Sequence, residues 1–102
     1  MSLPVKNVDV FCSVQRALLS KVTPNLRAVY IFINKKNSYN LIFYYNEILS
    51  EHEEELVSLA DTEFISDFPS PDYQTSIAIQ IISYPNQIPK HGFCLYQRYE
   101  VT

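Results

Sequence analysis

Two runs rich in β-branched and aromatic residues stand almost next to each other near the middle of the chain. They are RAVYIFINK (27–35) and SYNLIFYYN (38–46), and only Lys36 and Asn37 separate them. Runs of this composition favour strands, and so short a connection favours an antiparallel hairpin. Such a hairpin has apolar side chains to bury, so the rest of a 102-residue chain must supply the elements that cover it.

A helix is predicted on either side of this hairpin. Residues 5–22 place apolar side chains at helical spacing, and Pro24 ends that segment. The members of this stripe are Val8, Phe11, Cys12, Leu18, Leu19 and Val22. Ser50 and Glu53 match the capping-box pattern S-x-x-E, which predicts a second helix that begins at Glu51. Its apolar stripe is Leu56, Val57, Ala60, Phe64 and Phe68, and the prolines that end it are Pro69 and Pro71.

Two further strands are predicted at 75–84 and 92–100, so the elements follow one another as αββαββ. The simplest arrangement is one α+β domain over 1–102, a four-stranded antiparallel sheet with both helices packed on one face. The hairpin strands are apolar on both faces, so aromatic side chains are expected on the open face of the sheet. They would form a partner surface or would brace a small domain or a homodimer, and the sequence leaves both open.

Catalytic equipment is sparse in this sequence. His52 belongs to an acidic helix, and His91 precedes Cys94 without an obvious third group to orient the pair. Metal-ligand spacing is absent, and the single glycine, Gly92, cannot build a phosphate-binding loop. We therefore predict neither an enzyme nor a cofactor. We also expect Cys12 and Cys94 to be buried and unpaired, and the chain, which lacks a membrane-spanning run or a signal peptide, to be cytoplasmic.

The charges are distributed unevenly along the chain. Residues 37–89 contain nine acidic residues and no Lys or Arg, whereas the remainder has an excess of six positive charges, and the net charge is −3. The helix dipole accounts for carboxylates in the first turn of the second helix, but not for Asp61, Glu63, Asp67 and Asp72. Glu51–Glu55 and Glu63–Asp67 are like-charge pairs at i,i+4, which destabilise a helix. The acids are either an ordinary solvated face or a surface that binds a basic partner.

Several segments resemble small bacterial immunity proteins of contact-dependent growth inhibition and related polymorphic toxin systems. The resemblance is carried by NLRA (25–28), FYYNE (43–47), SEHEEELVSLADTEFISDFP (50–69) and IPKHGFCLYQR (88–98). It implies an inhibitor that binds the C-terminal toxin domain of its own delivery protein, often an RNase, and blocks it stoichiometrically. We expect the toxin to be basic and the inhibitor to be a monomer or a weak homodimer. We also expect the inhibitor to bind neither nucleic acid nor a membrane directly.

The toxin-binding residues are predicted from the acidic helix, with two aromatic side chains as anchors. They are Glu51, Glu54, Glu55, Asp61, Glu63, Asp67, Asp72, Tyr44 and Tyr96. Two alternatives belong to other classes of protein. A single-stranded RNA-binding module would stack bases on Tyr30, Phe32, Tyr44 and Tyr96, with Lys35, Lys36 and Arg98 supplying positive charge. A dimeric structural adaptor would instead use the same aromatic face between two copies.

Overall fold

A computed structural model of the chain describes residues 7–18, 20–35, 38–67, 74–90 and 92–100. The elements occur in the predicted order. They are α1 (Asn7–Leu18), β1 (Leu26–Lys35), β2 (Ser38–Tyr45), α2 (Glu51–Asp67), β3 (Gln74–Ile81) and β4 (Phe93–Gln97). The third strand ends three residues earlier than predicted, and the fourth is shorter at both ends.

The four strands form one sheet in the order β3-β2-β1-β4, and this sheet is mixed. β1 pairs antiparallel with β2, as predicted, and also with β4, whereas β2 pairs parallel with β3. The prediction of a fully antiparallel sheet was therefore wrong for that pair. The physical reason is the connection over residues 46–73, which contains α2 and is long enough to return the chain to the start of a parallel strand.

Both helices pack on one face of the sheet, as predicted, and the main hydrophobic core lies there. α1 contributes Val14, Ala17 and Leu18, and α2 contributes Val57, Ala60 and Phe64. The sheet supplies alternate residues of its two central strands, namely Leu26, Val29, Ile31, Tyr39, Leu41, Phe43 and Tyr45. The period of two in β2 thus separates the core side chains from those of the opposite face.

The stripe predicted for α1 was partly wrong. Phe11 packs against the core and Leu18 is buried, but Cys12 is exposed and so is Val22. The buried positions that the stripe omitted are Val14 and Ala17. Val8, Leu19 and Phe68 fall outside the residues whose side chains the structure describes. Cys12 and Cys94 are unpaired, as predicted, but both are exposed, so the expectation that they would be buried was wrong.

The face of the sheet opposite the helices carries a second, smaller cluster. Tyr30 and Tyr44 lie on it with their rings edge to face, 5.9 Å between centroids, and only 4% and 2% of their surfaces are exposed. Ile82 and Ile88 pack against them. The segment that contains Ile82 and Ile88 covers this face because of the strand order. Because β3 and β4 are at opposite edges of the sheet, the connecting residues 82–92 must cross it, and they cross on this face.

Gly92, the single glycine, stands where this crossing segment enters β4. Its φ is +78°, a conformation that side chains disfavour, and a Cβ there would lie 2.5 Å from the carbonyl oxygen of Ile31. The position thus needs glycine for two reasons, backbone conformation and close contact with β1. Its role is to build the fold.

Candidate functional site

The N-terminus of α2 is built by the capping box that the sequence predicted. The Glu53 amide donates a 3.2 Å hydrogen bond to Ser50 Oγ, and the Ser50 amide donates a 3.1 Å hydrogen bond to Glu53 Oε1. These two bonds satisfy donors that a helix leaves without intrahelical partners. The cap fixes where the helix starts and therefore which of its acidic residues point outward.

Glu53 differs from its acidic neighbours because it points into the protein and is 8% exposed. Its carboxylate accepts hydrogen bonds from the Thr23 hydroxyl and from Asn25 Nδ2, the latter at 3.2 Å. Burial by itself raises the pKa of Glu53, but the hydrogen bonds from Thr23, Ser50 and Asn25 outweigh it, so the pKa is lowered. This carboxylate ties α2 to the segment before β1 and is not available to a partner.

The outward side of α2 carries five acidic residues, which we call the acidic ridge: Glu51, Glu54, Glu55, Asp61 and Glu63. Glu51, Glu54 and Glu55 are exposed, and they form no ion pair with any residue in the described part of the chain. α2 contains no Lys or Arg along its length. The ridge is therefore a region of negative potential that its own helix does not neutralise.

Glu63 is the member of the ridge with an internal partner. Lys21, which follows α1, donates a 2.8 Å hydrogen bond to Glu63 Oε1. The carboxylate is about half exposed, so this pair stabilises the protein by roughly 0–1 kcal/mol. The contact also shows that the Glu63 flank of α2 faces α1. Part of the charge of Glu63 is thereby offset before any partner arrives.

Asp61 is half-buried, and no hydrogen bond or ion pair joins it to another described residue. Desolvation raises its pKa above the ordinary value of an aspartate. At 100° per residue, Asp61 and Glu54 lie on the flank of the buried stripe opposite Glu63, and therefore away from α1. A positively charged side chain from a partner would stabilise the ionised carboxylate of Asp61, which is already partly desolvated in the free protein.

The remaining predicted site residues are not brought together with the ridge. Asp67 is the last residue of α2, but its side chain falls outside the described ones, and Asp72 lies outside the described residues altogether. Tyr44 is buried under the segment 82–90 and offers little surface. Tyr96 is half-buried and packs against the main core on the helix side of the sheet. The two tyrosines thus lie on opposite faces.

The burial of Tyr30 and Tyr44 also bears on RNA binding. Base stacking requires aromatic rings that are exposed on a sheet face. Here both rings are covered by the crossing segment, and Tyr96 belongs to the other face. Within the described part of the chain, Tyr30 and Tyr44 are therefore not the open stacking platform that the RNA-binding alternative needed.

A cleft of about 720 Å³ opens between the crossing segment and the sheet, and sequence reasoning missed it. Arg27 forms its floor and is 3% exposed. Its Nε and Nη2 donate to the two carboxylate oxygens of Glu100 at 2.6 and 2.8 Å, and its Nη1 donates to the carbonyl of Ile82 at 2.7 Å. The guanidinium also lies 5.8 Å from the centroid of the Tyr84 ring. No local pattern signals this contact, because Arg27 and Glu100 meet only when β1 and the chain after β4 are adjacent.

Arg27 and Glu100 neutralise each other's charge at the base of the cleft. Hydrogen bonds from Arg27, opposed by desolvation and aided by Arg98, lower the pKa of Glu100 to about 2. Hydrogen bonding to Glu100, in turn, raises the pKa of Arg27 despite its burial. Arg27 is therefore committed to holding the crossing segment and the C-terminal residues on the sheet. The cleft is a structural feature with a satisfied ion pair at its base.

Side-chain groupings suited to metal binding do not occur among the described residues. No group of three or more His, Cys, Asp or Glu side chains could hold a metal ion in this part of the chain. His52 and Cys94 are both exposed, and His91 lies outside the described residues. Within the same ranges, neither helix has the length and the apolar character that a bilayer crossing requires.

Comparison with protein-family models identifies the family. The model of the MafI2 immunity protein matches residues 7–100, which is nearly the whole chain, and the chain therefore belongs to the MafI2 immunity protein family. A search of curated proteins found no match. The resemblance to bacterial immunity proteins is thus confirmed at the level of an immunity protein, and with it the expectation of an antitoxin with a cognate toxin as partner. Such a family is one of inhibitors, in agreement with the prediction of a non-enzyme.

Proposed function

We propose that this member of the MafI2 immunity protein family neutralises its toxin by holding it in a stoichiometric complex through the acidic ridge. The toxin would be a basic domain, most simply a nuclease of the kind deployed in contact-dependent growth inhibition, and the complex would form in the cytoplasm. A nuclease needs positive charge to bind its polyanionic substrate. A surface that carries several unneutralised carboxylates is complementary to such a domain.

The observation that supports this proposal is the state of the ridge carboxylates. Glu51, Glu54 and Glu55 are exposed without an ion-pair partner among the described residues, and Asp61 is partly desolvated. Glu53, by contrast, is used by the fold. A helix that served stability alone would place Lys or Arg at i,i+4 from these acids, and α2 has none. The charges are thus available for a partner.

The alternative of an ordinary solvated face makes a different prediction about binding. Exposed charges with no partner contribute little to the affinity of any complex formed elsewhere. Charges that lie in an interface change both the association rate and the affinity when they are reversed. The two interpretations are therefore separated by charge reversal at exposed positions of α2, where folding is unaffected.

The test is a Glu51→Lys, Glu55→Lys double variant, assayed against the cognate toxin domain. We expect the affinity measured by calorimetry to fall tenfold or more, since about 1.4 kcal/mol is a factor of ten. Protection of cells that express the toxin should fall with it. The variant should still fold, and its free energy of unfolding should fall by no more than about 1–2 kcal/mol, because both side chains are exposed and unpaired among the described residues and only Glu51, in the first turn of α2, interacts favourably with the helix dipole.

The matched control is Glu47→Lys, which reverses an exposed carboxylate in the loop before α2. It makes the same change of charge per site outside the ridge, so its affinity for the toxin should change less than threefold. If the double variant binds as tightly as Glu47→Lys and protects cells equally well, the ridge is a solvated face and the toxin binds elsewhere.

A further inference from the structure

The outer edge of β3 has no partner strand in the described part of the chain. β3 is the terminal strand of the sheet, and no described residue pairs with its outer side. It runs for eight residues in unbroken register with β2, whereas β4, at the other edge, has five residues and a register shift against β1. β3 is therefore the longer and more regular of the two edges.

The sequence of β3 has none of the features that usually protect an edge. Natural edge strands carry charged side chains, prolines or bulges, which prevent another strand from pairing with them. QTSIAIQI contains no charged residue, no proline and no glycine, and no register shift interrupts its pairing with β2. An unprotected edge of this length is a template for an added strand.

The hydrogen-bonding groups that face outward can be identified. The Ile82 amide donates to the Tyr45 carbonyl at 2.9 Å, and Ile81 is the register partner of Tyr45. In a parallel ladder, Gln80 and Ile82 therefore direct their backbone groups toward β2. By alternation, Ile77, Ile79 and Ile81 direct theirs toward the free edge.

The side chains beside this edge indicate which strand would fit. Ile79 and Ile81 are 42% and 47% exposed, and they lie on the sheet face that carries the helices. α1 contacts β4 at the other edge, so the flank of α2 that faces away from α1 lies on the β3 side. That flank carries Glu54 and Asp61. An added strand would thus meet two apolar side chains and, above them, two carboxylates.

We propose that the outer edge of β3 binds an extended segment of the cognate toxin as a fifth strand, with apolar side chains against Ile79 and Ile81 and a Lys or Arg directed to Glu54 and Asp61. This inference rests on the proposed function, since it names the second contact of the same complex. The backbone of Ile77, Ile79 and Ile81 supplies hydrogen bonds that do not depend on the toxin's sequence. The carboxylates select a basic segment over an acidic one.

The edge is tested by amide hydrogen exchange on the wild-type chain, free and bound to the cognate toxin domain. The amides of Ile77, Ile79 and Ile81 should exchange at least tenfold more slowly in the complex. The amides of Ala78 and Gln80, already bonded to β2, should change much less. Because this measurement needs no variant, its result does not depend on how a substitution folds.

Two substitutions at one position separate backbone pairing from apolar contact. Ile79→Pro removes an outward N–H and leaves the bonds to β2 in place, whereas Ile79→Thr keeps the N–H and the β-branched shape. We expect Ile79→Pro to weaken toxin binding tenfold or more and Ile79→Thr to weaken it about threefold or less. Slow exchange of the Ala78 and Gln80 amides in the free Ile79→Pro variant verifies that its β2–β3 ladder is intact.

The outcomes distinguish this inference from the proposed function. If the wild type neutralises the toxin, but the Ile77, Ile79 and Ile81 amides exchange equally fast in the complex and Ile79→Pro binds as tightly as Ile79→Thr, only the edge inference is overturned. Protection of these amides that grows with the concentration of the free chain would assign the edge to a second copy and overturn it too. If the wild type neither binds nor neutralises the toxin, both fail.

Discussion

At the level of single residues, some carboxylates of this chain accept hydrogen bonds within the protein, and others are exposed to solvent. Glu53 and Glu100 each accept several hydrogen bonds and have lowered pKa values. Glu51, Glu54 and Glu55 have no ion-pair partner among the described residues. A residue's place on the helix surface thus matters more than its type, because adjacent glutamates differ by 100° in direction.

The buried pair of Arg27 and Glu100 should control stability at acid pH. Glu100→Gln removes the negative charge that compensates the buried Arg27 guanidinium. We expect this substitution to lower the free energy of unfolding at pH 7 by about 2–4 kcal/mol. The pKa of Glu100 falls on folding from 4.5 to about 2, so the stabilisation is present above pH 4.5 and is lost as the pH falls toward 2. Urea unfolding at several pH values measures this.

A control for this pair is Glu47→Gln, which neutralises an exposed carboxylate. Its unfolding free energy should stay within about 0.5 kcal/mol of the wild type at every pH. The difference between wild type and Glu100→Gln should shrink between pH 4.5 and 2. A difference that stays constant over that interval would mean that the ion pair does not produce it.

At the level of elements, the start of α2 is stabilised by the two hydrogen bonds of the capping box. Ser50→Ala removes the acceptor of the Glu53 amide, and we expect it to lower the free energy of unfolding by about 1 kcal/mol. Ser58→Ala makes the same chemical change on the exposed side of α2, where alanine is the better helix former, so it should be neutral or slightly stabilising. Chemical denaturation measures the free energy of unfolding of both variants. Equal values for the two would show that the Ser50 cap does not contribute to stability.

The position of β3 sets the role of two other segments. Placing β3 beside β2 and β4 beside β1 sends residues 82–92 across the open face, where they bury Tyr30 and Tyr44. The same order leaves β3 as an uncharged outer edge next to the free flank of α2. Had β3 and β4 instead formed a hairpin, the aromatic face would have stayed open. One choice of strand order thus removes one candidate surface and creates another.

At the level of the whole molecule, the charge asymmetry should govern how fast the toxin binds. Electrostatic attraction between oppositely charged proteins accelerates their association. Salt screens this attraction, with a Debye length of about 10 Å at 0.1 M. We expect the association rate with the toxin to fall about tenfold or more between roughly 0.05 and 0.5 M salt, with a smaller change in dissociation. Stopped-flow mixing measures both rates.

The Glu51→Lys, Glu55→Lys variant provides the comparison for this experiment. Since it removes part of the negative field, its association rate should depend less steeply on salt than that of the wild type. Equal slopes for the two proteins would show that the ridge does not steer the encounter. The Glu47→Lys variant should keep a slope nearer that of the wild type, because its charge lies outside the ridge.

The sequence alone was sufficient for features that depend on near neighbours in the chain. The Ser50–Glu53 cap, the β1–β2 hairpin and the start of α2 at Glu51 all follow from local patterns. The acidity of α2 and the resemblance to immunity proteins were equally visible. Hydrogen bonds and side-chain periodicity over a few residues decide these features, and a single sequence records them directly.

Only the tertiary structure decided the parallel pairing of β2 and β3, the burial of Tyr30 and Tyr44, and the contact of Arg27 with Glu100. It also separated Glu53 and Glu63, which have internal partners, from the exposed carboxylates beside them. Each of these facts joins residues far apart in the chain. Local patterns fit either strand order equally well, so the choice rests on how residues 46–73 and 82–92 cross the sheet and cover its two faces.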